Sequence, residues 1–147
     1  MFKMADCIFC DGELEEFLIK KFSYWTVYLN KNQYYLGRVY VVLNRHGPED
    51  TTSLTEEEWE ELKIVNDSVT NILKSLYNPD LMSYLTLQNK DRNHFHVHII
   101  PRYKEKRLIY EQEFKDELWG KAPIPTPKKE FNEEILIKIK DDIKKLI

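Results

Sequence analysis

The sequence predicts an α+β fold: an antiparallel sheet covered by one long helix, with a second helix at the C-terminal end. Three observations carry this. Runs rich in β-branched and aromatic residues come in pairs, a long apolar stripe of helical period follows a capping box, and short polar breaks separate these elements. At 147 residues the chain is close to the modal domain size, so residues 1–147 are expected to form one domain. Its parts are a core body over 1–122, a proline-rich connector over 123–131 and a last helix over 132–147.

Taken in order, "SYWTVYLN" and "LGRVYVVLN" read as two antiparallel strands separated by the polar turn "KNQ" and the Gly37 region. The sheet is expected to begin there. In "TTSLTEEEWEELKIVNDSVTNILKSLY", Thr55 and Glu58 form a capping-box pair, and Trp59, Leu62, Val65, Val69, Ile72, Leu73 and Leu76 recur at helical spacing. After the break "NPD", "LMSYLTLQN" and "HFHVHIIPR" read as a further strand pair, the second ended by Pro101. The alternating prolines of "KAPIPTPKK" impose an extended, non-sheet path. Beyond them Asn132 is the expected N-cap of a helix with Ile135, Ile139, Ile143 and Leu146 on one stripe.

Hydrophobic residues are 42% of the chain and charged residues 32%, enough apolar material for a core and too much for a disordered chain. The net charge of −3 is spread without a basic block, which argues against nucleic acid as a partner and leaves a small phosphorylated ligand open. No run reaches the roughly 18 apolar residues of a membrane span, and "MFKMADCIFC" lacks the plan of a signal peptide. A cytoplasmic location and no membrane partner are therefore expected. Cys7 and Cys10 form one C-x-x-C, which in a reducing compartment suits metal or redox chemistry better than a disulfide, yet supplies only half a zinc site.

Three of the four histidines lie in "NHFHVHIIPRY" at alternate positions. On a strand, His94, His96 and His98 project to one side while Phe95, Val97 and Ile99 anchor the other. Two chemistries compete for such a row. Three imidazoles can bind a catalytic zinc that keeps an open position, or a neutral imidazole can attack phosphorus while its neighbours handle the leaving oxygen and the phosphate charge.

The run His94-Phe95-His96-Val97-His98-Ile99-Ile100 resembles the signature of the histidine triad superfamily of nucleotide hydrolases and transferases. "CIFC", "NQYYLGRVYVVLNRH", "LQN" before the triad and "LWG" after it extend the resemblance over most of the chain, toward the branch similar to diadenosine polyphosphate hydrolases and phosphorylases. The resemblance implies a sheet of about five strands and a homodimer. It implies His96 as nucleophile on the α-phosphate of a nucleotide or dinucleotide polyphosphate, and His98 as the group that contacts the phosphate and aids departure. A structural zinc on Cys7, Cys10, His46 and His94 is implied as well. Asn89 matches a phosphate-side asparagine, Asn30 a ribose contact, and adenine is the implied base. Gln88 departs from the family's glycine, which leaves Gln88, Lys90 or Arg92 as alternative phosphate donors. Ile8, Phe9 and Tyr28 are candidates to sandwich a base, Lys31, Tyr34 and Tyr35 to extend the phosphate site, and Arg102 to face phosphate or a second subunit. The alternatives are an adenylyl phosphoramidase, a zinc hydrolase using all three triad histidines, and a nucleotide sensor without catalysis.

Overall fold

The computed structural model describes residues 7–90 and 94–147. In chain order these form β1 (Leu18–Lys21), β2 (Trp25–Leu29), β3 (Val39–Leu43), α1 (Glu56–Tyr77), β4 (Leu81–Leu85), β5 (His96–Arg102), β6 (Arg107–Ile109), β7 (Gln112–Phe114) and α2 (Glu133–Lys144). The first five strands make one antiparallel sheet in the order β1-β2-β3-β5-β4, and β6 and β7 pair as a separate hairpin. Among the described residues no helix is long and apolar enough to cross a membrane.

Period-two alternation divides the sheet into two faces. Trp25, Val27 and Leu29 of β2, Val39, Val41 and Leu43 of β3, and Phe95, Val97 and Ile99 all join the core, packed with Val65, Val69 and Leu73 of α1 and Ile139 and Ile143 of α2. Both helices therefore lie on one face. The opposite face carries Thr26, Tyr28, Tyr40, Val42, His96 and His98, and it bears the site.

The helix starts form as their residues demand. Thr55 Oγ1 accepts from the Glu58 amide while the Glu58 carboxylate accepts from the Thr55 amide, which closes the capping box of α1. Asn132 Oδ1 accepts from the Glu134 amide at the start of α2. The buried stripe of α2 is Leu136, Ile139 and Ile143, one step round from the expected one; Ile135 is half-buried, and Leu146 is exposed beyond the helix end. Trp59, placed on the apolar stripe of α1 by its spacing, is also exposed.

Three features of the sheet depart from the sequence reading. The sheet starts one strand earlier than expected, because "LIKK" pairs with β2 through an irregular register at Leu18 and Lys20. Pro101 does not end β5 but pairs with Met82 inside it. The β3 ladder stops at Ile99, so Pro101 stands where β5 has a neighbour on one side only, and its missing N–H is tolerated. The β6–β7 hairpin was not foreseen; its turn residues Tyr110 and Glu111 take positive φ without glycine or asparagine.

The connector is no free linker. Pro123 O accepts from the Tyr35 hydroxyl at 2.8 Å, and Pro127 O accepts from Asn32 Nδ2 at 3.1 Å, so the proline path is laid against the β2–β3 loop.

Candidate functional site

One end of the histidine row is a cluster of four donors. His94 stands two residues before β5, His46 lies just after β3, and Cys7 and Cys10 come from the N-terminal turn. His94 Nδ1 is 3.4 Å from Cys7 Sγ, 3.3 Å from Cys10 Sγ and 3.0 Å from His46 Nδ1, while Cys10 Sγ is 3.2 Å from His46 Nδ1. All four ligand atoms lie within 4.8 Å of one another. A zinc tetrahedron with about 2.0–2.1 Å to nitrogen and 2.3 Å to sulfur has edges of roughly 3.3–3.8 Å, so this Cys₂His₂ cluster fits a zinc site. The donors' surroundings agree. His94 Nε2 donates to Leu43 O at 2.5 Å, which places the ring proton there and turns the Nδ1 lone pair toward the sulfurs. Burial, a hydrogen bond donated by the Cys10 thiol to Cys7 and the negative charge of Cys7 push the Cys10 thiol up to about 12. Burial likewise holds His94 below its usual range.

The loop carrying His46 is pinned to α1. Arg45 binds the Glu58 carboxylate in bidentate fashion at 2.9 and 2.8 Å and also donates to Ser53 O. Glu58 thus caps its helix and anchors the metal-side loop at once. The Arg45 hydrogen bond holds its carboxyl below the usual range.

At the middle of the row, buried His96 donates from Nδ1 to the carbonyl of His94 at 2.7 Å. A carbonyl only accepts, so in the neutral ring the lone pair belongs to Nε2. Phe9 packs against this ring at 5.0 Å between centroids, and Tyr40 at 5.8 Å. Thr86 Oγ1 donates to His96 O and ties the strand to the β4–β5 connection.

The far end has the opposite proton order. Arg38 Nη2 lies 3.4 Å from His98 Nδ1. A guanidinium only donates, so Nδ1 of His98 accepts and its Nε2 carries the proton. Side by side, with ring centroids 4.9 Å apart, one imidazole presents a lone pair from Nε2 and the next presents an N–H. Both line a cleft of about 330 Å³ with Asn30, Asn32, Arg38, Tyr40, Leu87, Asn89, Ile124 and Thr126. Gln33 braces the backbone beside it: its Nε2 donates to Asn30 O and Arg38 O, and its Oε1 accepts from the Gly37 amide.

The structure thus brings His96, His98, Asn30 and Asn89 to one cleft and Cys7, Cys10, His46 and His94 to one cluster. Gln88 is exposed and does not line the cleft. Of the base candidates, Phe9 and Tyr28 line a neighbouring cavity of about 450 Å³ and Ile8 does not. Tyr34 and Tyr35 extend no phosphate site, because both are buried, with the Tyr34 hydroxyl accepting from the Glu117 amide. Lys31 sits over the Phe17 ring. Arg102 faces neither phosphate nor solvent: it is buried against Asp116 at 2.6 Å and donates to Leu118 O and Lys121 O. Arg92 lies outside the described residues. Sequence reasoning missed Arg38, since an arginine after a loop glycine looks like a solvated charge; the rarity of a carboxylate near it in sequence was the only signal.

The chain matches no protein-family model, and no curated protein matches it in sequence. Solved structures do match in shape. A hypothetical histidine triad nucleotide-binding protein from Sulfolobus tokodaii superposes with a TM-score of 0.69 at 23% identity, over 96% of this chain and 89% of that one. A Zn-bound histidine triad family protein from Mycobacterium smegmatis gives 0.64 at 16% identity over 98% and 97%. Diadenosine triphosphate hydrolase from Plasmodium falciparum, solved with cyclomarin A, gives 0.63 at 16% identity over 89% and 76%. The chain has the fold of the histidine triad proteins: their five-stranded antiparallel sheet with one long and one C-terminal helix.

Proposed function

We propose that this chain binds nucleotides and is a nucleotidyl hydrolase or transferase of the histidine triad type, cleaving diadenosine polyphosphates or related adenylyl compounds at the α-phosphate. The observation that carries the proposal is the opposed proton order of adjacent imidazoles, His96 with its lone pair on Nε2 and His98 with its proton there. His96 Nε2 attacks the α-phosphorus and forms a P–N bond. The bridging P–O bond breaks with its electron pair on the leaving oxygen, which departs as a phosphate oxyanion whose charge is held by a hydrogen bond from the His98 Nε2–H. In the second step water attacks the phosphorus and loses its proton to solvent, and the P–N electron pair returns to His96 Nε2. Asn30 and Asn89 are assigned to the substrate, with Asn30 at the ribose side; Gln88, exposed beside Asn89, is kept as a contact made only when substrate is bound. Phe9 and Tyr28 hold the base, with adenine the expected one.

Zinc on Cys7, Cys10, His46 and His94 has a structural role in this scheme, because the cluster is closed by four protein donors and leaves no open position. Of the triad only His94 belongs to it among the described residues, which weighs against a zinc hydrolase built on all three histidines. A homodimer paired through β4 is part of the proposal, supported by the outer position of that strand and the exposure of Leu81 and Tyr84 on it. Two thiols kept reduced for metal suit the cytoplasm.

Incubation with a panel of dinucleotide polyphosphates, followed by acid-sensitive mass analysis of the intact chain, tests the chemistry. A nucleotidyl mass on His96 is expected; binding of nucleotide without adduct or product would leave a sensor instead.

A further inference from the structure

The geometry points to Arg38 as the residue that selects a phosphorylated leaving group: we propose that its guanidinium binds the phosphate adjacent to the one attacked. This deepens the nucleotidyl-transfer reading above and rests on it.

Arg38 is only 8% exposed, yet no carboxylate pairs with it among the described residues, and its Nε has no hydrogen-bond partner there. A buried guanidinium is costly unless its charge is matched. Elsewhere in this chain the rule is kept, as buried Arg102 has Asp116 and the capping carboxylate Glu58 has Arg45. Asn30 repeats the anomaly. At 4% exposure its Oδ1 accepts from the Asn32 amide, whereas its Nδ2 has no partner among the described residues.

Both side chains line the cleft that holds His96 and His98, and among the described residues no carboxylate lines it with them. Two unmatched buried donors, one of them charged, therefore share a cleft with the proton-bearing edge of His98. The charged one suits an anion with several oxygens, while the Asn30 Nδ2 is left for the ribose side of the same substrate. Placement decides which anion. Arg38 touches His98, which serves the leaving oxygen. Its charge thus belongs beyond the bond that breaks. There it stabilises the negative charge that builds on the leaving group as the P–O electron pair departs. A nucleotide polyphosphate offers a phosphate at that position; the amine of a phosphoramidate does not.

The backbone holds the arginine for this task. Arg38 N–H donates to Tyr35 O, Arg38 O accepts from the backbone amide of Asn30 and from Gln33 Nε2, and neighbouring Gly37 takes a φ of +85° with α1 side chains packed against it.

Arg38→Gln is the informative variant, because it removes the charge and keeps a donor for His98 Nδ1; Arg38→Lys restores the charge without the planar fork. Calorimetry should find that the wild-type protein binds ADP about tenfold more tightly than AMP, and that Arg38→Gln binds the two alike with its AMP affinity kept. Asn30→Asp keeps the acceptor for the Asn32 amide and sets a carboxylate in the cleft, so it should also lose the ADP preference while melting no lower than wild type. Equal wild-type affinities for ADP and AMP, or an ADP preference that survives Arg38→Gln, would overturn the assignment. In turnover, Arg38→Gln should lose about 100-fold in kcat/KM on diadenosine tetraphosphate and less than about fivefold on adenosine 5′-phosphoramidate, with Arg38→Lys partly restoring the first. Equal losses on both substrates would overturn it too. If the wild-type protein forms no adduct on His96 and turns over neither compound, the nucleotidyl-transfer reading fails, and the ADP-against-AMP comparison still decides the role of Arg38.

Discussion

The two ends of the histidine row are built alike and left in opposite electrostatic conditions. At the His94 end, two thiols and two imidazole nitrogens converge within 4.8 Å, a donor set that fits a cation. At the His98 end, a buried guanidinium and a buried amide donor stand without an anion among the described residues. His96 lies between them, oriented from the first end by the carbonyl of His94 and flanked by His98 at the second. In the proposed reading the same strand spacing serves a cation on one side and an anion on the other, and what differs is the loop each histidine meets.

The largest test of that contrast is His96→Ala. It should reduce turnover by at least about 10³-fold while metal content, read by elemental analysis, stays that of the wild type. Loss of zinc together with activity would erase the boundary between the two ends. Next in size is Cys10→Ser, expected to release zinc and to lower stability by about 3 kcal/mol or more. A chelator should lower the melting temperature of the wild-type protein in the same way and leave that of the variant unmoved.

Gly37→Ala strikes the anion end alone. A Cβ there would meet Leu73 Cδ2 at 2.9 Å and Tyr77 Cδ2 at 3.1 Å, on a backbone with φ of +85°. Denaturant titration should show a loss of about 1–3 kcal/mol, with zinc still bound. The smallest effect is expected at the metal-side loop. The Glu58 carboxyl is held low by Arg45, so its contribution is present above the unfolded value of about 4.3 and is lost as pH falls through its lower folded value. Glu58→Gln should therefore cost about 1 kcal/mol near pH 7, Arg45 being half-exposed, and melting curves of variant and wild type should converge in acid. A difference that persists there would assign the effect to packing.

Much of the scaffold could be read from local pattern. Thr55 and Glu58 announce α1, Asn132 announces α2, and the alternation of Phe95, Val97 and Ile99 with the histidines marks β5 and its faces. What escaped lacked a local signal. β1 is four residues, half of them lysine, with an irregular register; the β6–β7 turn uses Tyr110 and Glu111 where asparagine and glycine would have been diagnostic. Pro101 was misread because whether a strand has one neighbour or two at a given residue is a property of the sheet.

By itself the sequence determined which donors exist and which face of β5 offers them, because side-chain chemistry and a period of two are local. Only the tertiary structure decided how they are used. Cys7 reaches His94 across 87 positions, and the carbonyls of Leu43 and His94 choose the ring protons of two histidines. Arg38 is turned inward beside a third. The Cys7–His94, Leu43–His94 and Arg38–His98 contacts depend on strand register and loop closure, which bring together groups far apart in sequence, whereas the His94 carbonyl and His96 are two residues apart.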